Sequence, residues 1–186
     1  MSQPRFVTGS LLRHITTMAG TGAIGLVAIF AVDLINLLYI SRLGESAIAA
    51  AVGFAGVVGF FHLSLFIGLL IGIAAVVSRL IGARRVADAH RIATSSLVIT
   101  ALIAVLLSAL TLVFLEPLLR LLGAEGRVLE LAAGFLRITL PSTVLLGIGM
   151  SCTALLRSVG DARRAMLVTL VPAIGTAVLD PLFIFG

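Results

Sequence analysis

Long apolar runs bounded by arginine leave this chain few ways to fold. Roughly 18 or more predominantly apolar residues are needed to cross the hydrocarbon core of a bilayer as a helix. Five runs of that kind occupy residues 15–40, 46–81, 92–115, 128–156 and 165–185. A segment in lipid must satisfy its own backbone hydrogen bonds, so each run is expected to be helical. Of the 186 residues 60% are hydrophobic and only 11% charged, against about 25% charged in an ordinary soluble domain. The expectation is an all-α, polytopic transmembrane bundle of about five spans, with no soluble domain between them. The second run is the longest, and its 36 positions reach about 54 Å as one helix. Its centre, GFFHLS, offers no polar turn, so one long helix is expected rather than two.

The basic residues set the topology. All 13 are arginine. With the N-terminus in the cytoplasm, the inner segments hold Arg5, Arg13, Arg79, Arg84, Arg85, Arg91, Arg157, Arg163 and Arg164, and the outer ones Arg42, Arg120 and Arg127. That is nine against three, with Arg137 left inside the fourth span, and it follows the positive-inside bias. The net charge of +5 therefore speaks for topology and not for nucleic acid. The apolar run that follows the opening MSQPRFVTGSLLRH is too long for a signal-peptide core and shows no small-residue cleavage site. It reads as a retained first span of a multi-pass protein of the cell inner (plasma) membrane.

Two inner loops look alike. SRLIGARR carries Gly82 before Arg84 and Arg85, and LRSVGDARR carries Gly160 before Arg163 and Arg164. Ordinary C-cap chemistry and an internal repeat explain the likeness equally well. Small residues recur every fourth position in Ala47, Ala51, Ala55 and Gly59, and again in Gly68 and Gly72. Such stripes are expected to be helix-packing faces.

Among the eight acidic residues, Glu45, Asp88, Glu125, Glu130 and Asp161 fall in loops or at helix ends, and Glu116 closes the third span beside Pro117. Two are left within spans, Asp33 and Asp180. A carboxylate there costs at least about 2.5–3.5 kcal/mol on insertion scales, so each raises a functional hypothesis. Counted from the last inner arginine, Asp33 is 20 residues beyond Arg13 and Asp180 is 16 beyond Arg164. Those counts correspond to about 30 and about 24 Å, similar depths in the outer half. Asn36 lies three residues beyond Asp33 and Thr176 four before Asp180, on the same helix faces.

If the two helices face one another, the oxygen-rich patches form a place where a proton or a hard cation such as Na⁺ binds and leaves. The alternatives are aspartates merely wetted at the outer interface, or paired with an outer arginine such as Arg42. Mid-span His62 is read as a packing histidine ahead of a proton relay. Cys152, the single cysteine, is read as a small buried hydrophobe. Pro141 and Pro172 each free a backbone carbonyl and permit a kink. No nucleotide-binding glycine loop, nucleophilic triad or zinc spacing is present, so the chain is not expected to be an enzyme.

Three stretches, VDLINLLYISRLGESAIAAAVG, GLLIGIAAVVSRLIGARRVADAHRIA and LLRSVGDARRAMLVTLVPAIGTAVLDPLFIFG, together resemble the first lobe of a MATE (multidrug and toxic compound extrusion) transporter. The likeness covers nearly all 186 residues. It implies an antiporter of two six-helix lobes, in which H⁺ or Na⁺ entry drives export of lipophilic or cationic small molecules. Residues 1–186 would be a partial N-lobe lacking its sixth helix, in a lipid bilayer, completed by a second lobe or another membrane subunit. The family's two aspartates fall on Asp33 and Asp180, the coupling-ion site, supported by Thr176 and Asn36. Beyond the coupling ion no cofactor is implied. The chain departs from the family in having Met18 where a proline is common, which leaves bending to Gly20, Gly22 and Gly25. Thr176 stands where an asparagine is usual, a loss of one amide that favours protons over Na⁺. The alternative is a fragment that packs against other helices without transporting.

Overall fold

A computed structural model describes residues 10–42 and 45–185; Arg5, counted above among the inner arginines, lies outside them. The described residues form α1 (Leu11–Arg42), α2 (Ser46–Gly82), α3 (Val86–Val113), α4 (Leu115–Leu121), α5 (Gly126–Ser158) and α6 (Ala162–Phe185). All but α4 are long and apolar enough to cross a membrane. The protein is thus an all-helical, multi-pass membrane protein. As the sequence implies, α2 is a single helix of 37 residues through GFFHLS.

The third span ends earlier than expected. Instead of continuing to residue 115, α3 stops at Val113, and a separate seven-residue helix carries Glu116 and Pro117. Pro117 has no N–H to give to the Val113 carbonyl, and its ring crowds that carbonyl. The chain therefore breaks at Phe114 (φ −100°, ψ 18°) before re-entering helix.

At the centre, α5 packs on α2, α3, α4 and α6. Its partner α2 buries Ala51, Ala55, Val58, His62, Phe66, Ile73 and Val77. These recur at intervals of three, four and seven, one stripe of a helix. One apolar cluster joins Ala51, Ala55 and Val58 to Leu115 and Leu119 of α4 and Ala132, Ala133, Leu136 and Leu140 of α5. A second, at the other end, joins Ile73 and Val77 to Ala89 and Ala154. Between them Gly147 admits the Phe66 ring, whose nearest carbon would stand 3.1 Å from a Cβ there.

The small-residue stripe is therefore half a packing face. Ala51 and Ala55 are in the seam, but Gly68 and Gly72 are exposed, with no neighbour within 4 Å of a built Cβ. The difference is rotational. Phe66 and Ile73 occupy the buried stripe at that level, and Gly68 and Gly72 lie off it.

The two similar loops share one backbone geometry, but not with their glycines in register. After α2, Arg84 N–H donates to the Ile81 carbonyl and Arg85 N–H to that of Leu80; after α5, Gly160 N–H donates to Arg157 and Asp161 N–H to Leu156. These are matching Schellman closures. The residue with positive φ is Gly160 (81°) in one and Arg84 (60°) in the other, while Gly82 is the last residue of α2. The expected C-cap role of Gly82 is thus taken by Arg84. The same closure ends α4, with Gly123 (φ 95°) in that place.

Candidate functional site

The helices that carry the two aspartates are neighbours: α1 packs chiefly on α6 and only thinly on α2. Their contact is close because Gly25 is buried against Thr169, whose Cγ2 would lie 3.5 Å from a Cβ at Gly25. One turn earlier, Gly22 lies under the Arg157 guanidinium, with Nη1 3.4 Å from its Cβ position. The long helices alternate in direction, so α1 and α6 run the same way.

That contact sets a register. Asp33 lies eight residues past Gly25 and Thr176 seven past Thr169, so both stand about 11–12 Å above the contact. Asn36 and Asp180 each lie eleven residues past it, about 16 Å above. Two levels follow, Asp33 with Thr176 and Asn36 with Asp180, about 4–5 Å apart along the axes.

Asp33 and Thr176 are exposed, and Asn36 and Asp180 half-buried. Neither carboxylate forms an ion pair with a described residue, so Asp33 is not held by Arg42. The Asn36 side-chain oxygen is buried without a hydrogen-bond partner. Buried acceptors are nearly always paired, so this one is open to a donor or a cation. An exposed carboxylate in a span is too costly to face lipid. Its open side calls for water or further protein.

His62 is placed as a packing residue. It is 1% exposed, with Nδ1 2.9 Å from the Val58 carbonyl and Nε2 3.3 Å from Thr111 Oγ1. A carbonyl only accepts, so Nδ1 carries the hydrogen, and Nε2 shares a second hydrogen bond with the Thr111 hydroxyl. Cys152 is half-buried in α5.

Sequence reasoning missed three contacts. Ser151 Oγ donates to Thr100 Oγ1 at 3.2 Å, joining α5 to α3. Arg137, left unexplained within the fourth span, pairs with Glu116 of α4 at 2.9 Å. Arg157, counted above among the inner arginines, reaches α1 at Gly22. Only the second had a usable signal, an arginine and a glutamate at the same end of adjoining spans.

A bundle of spanning helices with two unpaired intramembrane aspartates on parallel neighbours defines a class of polytopic membrane protein with a candidate ion site. The chain belongs to the MATE family, whose profile (MatE) matches residues 23–182. Over 177 residues it is 33% identical to a FAD transporter of Shewanella oneidensis, covering 94% of this chain and 38% of that protein. Over 155 residues it is 24% identical to the multidrug export protein MepA of Staphylococcus saprophyticus, covering 82% of this chain and 34% of the other. Among solved structures, the outward-facing conformation of a multidrug resistance MATE family transporter of the MOP superfamily superposes with a TM-score of 0.93 at 28% identity. That superposition covers 100% of this chain and 41% of the other. The chain thus spans about two-fifths of the length of the relatives it matches. The family is one of transporters.

Proposed function

We propose that the chain forms an incomplete N-terminal lobe of a secondary active antiporter of the cell inner membrane, and that inward flow of H⁺ or Na⁺ through this lobe drives export of lipophilic or cationic compounds. The observation that carries the reading is the register of α1 on α6. Counted from the Gly25–Thr169 contact, Asp33 falls level with Thr176 and Asn36 with Asp180, and the buried Asn36 oxygen has no partner. Two carboxylates, a hydroxyl and an amide oxygen are hard ligands suited to Na⁺. The amide oxygen equally accepts from the O–H of a protonated carboxyl. With Thr176 in place of the family's asparagine, protons are the favoured ion. Asp33 is the principal coupling residue, with Asp180, Thr176 and Asn36 around it.

Alternating access needs two bundles rocking about a site between them. The open face of α1, where Val27, Phe30 and Leu34 are all more than 60% exposed, is the surface for a second lobe, supplied by a longer chain or another membrane subunit.

The test is efflux from cells or proteoliposomes carrying the functional transporter. Asp33→Asn should abolish export of a cationic dye, and retention of full export would end this assignment. Export that follows a pH gradient without Na⁺ selects protons. FAD is the second substrate to try, because a 33% identical relative is named for it.

A further inference from the structure

Among the described residues every arginine but one is exposed, and Arg157, in the last turn of α5, is half-buried. Arginines near the ends of spans ordinarily extend to the interface and its water. Arg157 turns the other way. A Cα–Cβ bond tilts toward the N-terminus of its own helix. Because α5 runs inward, Arg157 leans back into the bundle, and because α1 runs outward, the Cβ position of Gly22 leans down to meet it. Nη1 stands 3.4 Å and Nη2 4.0 Å from that position. The guanidinium forms no ion pair and no hydrogen bond with a described residue. Its contact is with the bare turn of α1, where any larger residue than glycine would meet it.

The helix it touches is the most weakly held of the spans. Only 6% of the apolar window of α1 is buried, against 17–28% in the other four, and α1 packs on α6 and thinly on α2. Two close contacts fix its lean: Gly25 on Thr169 of α6 and, one turn nearer the cytoplasm, Gly22 on Arg157 of α5. Asp33 lies on the far side of the first. Gly22 is about 4.5 Å below Gly25 and Asp33 about 12 Å above it. With the Gly25–Thr169 contact as fulcrum, a displacement at Gly22 returns about 2.7 times larger, and in the opposite sense, at Asp33.

We propose that Arg157 is a positioning residue: its guanidinium is a spacer between the inner ends of α5 and α1, and the space it fills sets the tilt of α1 and with it the distance of Asp33 from Thr176 and Asp180. The consequence for transport rests on the coupling role proposed above for Asp33. The tilt itself does not.

The test uses the functional transporter with Cys152→Ser, carrying nitroxides on Leu37→Cys of α1 and Arg127→Cys at the outer end of α5. Double electron–electron resonance in nanodiscs reads the distance between them. Leu37 stands about 18 Å above the fulcrum, so each 1 Å of movement at Gly22 becomes about 4 Å there. Arg157→Ala should let the inner end of α1 settle toward α5 and lengthen that distance. Gly22→Leu should push the inner end away and shorten it. Combining the two, so that leucine fills the space the guanidinium leaves, should restore the wild-type distance.

Export of a cationic dye from proteoliposomes is read in parallel against pH and against Na⁺. The half-point should move in each single variant and return in the combined one, whereas simple loss of folded protein would lower export at every pH alike. An unchanged distance in both single variants overturns the proposal, and so does a combined variant that restores nothing. Distances that shift and are restored while the half-points stay fixed uphold Arg157 as the spacer and remove Asp33 as the coupling residue, so the two readings fail separately.

Discussion

A Cβ built on Gly25 of α1 lies 3.5 Å from Thr169 Cγ2 of α6, and this one contact fixes how far apart and at what height the two aspartate-bearing helices sit. The distance is ordinary van der Waals contact, so one methyl group fits and a larger side chain does not. Gly25→Ala should be accepted, and removing glycine from a helix interior gains up to about 1 kcal/mol. Gly25→Leu should separate the helices at a cost of about 1–3 kcal/mol, seen as a lower melting temperature in detergent. If Leu melts like Ala, the register argued for Asp33 and Asp180 is wrong.

Phe66 and Gly147 form a tighter version of the same device at the centre of the α2–α5 seam. Three ring carbons stand within 3.1–3.4 Å of the Cβ position, and Phe66 is only 1% exposed, so the ring has little room to retreat. Gly147→Ala should destabilise by about 1–3 kcal/mol. Adding Phe66→Leu should recover part of that loss, and the coupling is read from a double-mutant cycle. Additive losses would show that the two positions do not share the space.

These contacts show what was legible in the sequence. Apolar run length alone placed the five spans, and the absence of a polar turn at GFFHLS sufficed to keep α2 whole. Which face of a helix is buried was less legible, because a glycine offers close approach on whatever side it lies. Gly147 was not singled out and is at the tightest contact, whereas Gly68 and Gly72 were singled out and face outward. For the candidate site, same-helix spacing paired Asp33 with Asn36 and Thr176 with Asp180. The cross-helix levels depend on Gly25 meeting Thr169, a long-range fact that no local pattern encodes.

His62 and Thr111 bind α2 to α3 through a buried hydrogen bond of 3.3 Å. Thr111→Val preserves shape and leaves Nε2 without its partner. Interhelical hydrogen bonds of this kind in membrane proteins are worth about 0.6 kcal/mol on average and up to about 1.7. A loss of about 1 kcal/mol is expected from denaturation in mixed micelles, with coupling to His62→Phe in a double-mutant cycle. A His62 that serves only to pack α2 on α3 predicts that Thr111→Val leaves the pH dependence of transport unchanged. A displaced pH profile would return His62 to the role of proton relay.

Arg84 holds a φ of 60° in a position filled by Gly160 and Gly123 in the two equivalent turns. A left-handed conformation costs a side-chain-bearing residue about 1–2 kcal/mol, part of which glycine gives back as lost chain entropy. Arg84→Gly should therefore stabilise the protein by up to about 1 kcal/mol, whereas Gly160→Ala should destabilise it by about 1–2. Gly82 is helical and its Cβ position is open, so Gly82→Ala should be neutral or mildly stabilising. Melting curves of the three variants separate backbone geometry from sequence likeness. If Gly82→Ala proves the damaging change and Arg84→Gly does not help, the turn closes on the glycine as SRLIGARR alone suggests, and the equivalence of the two loops fails.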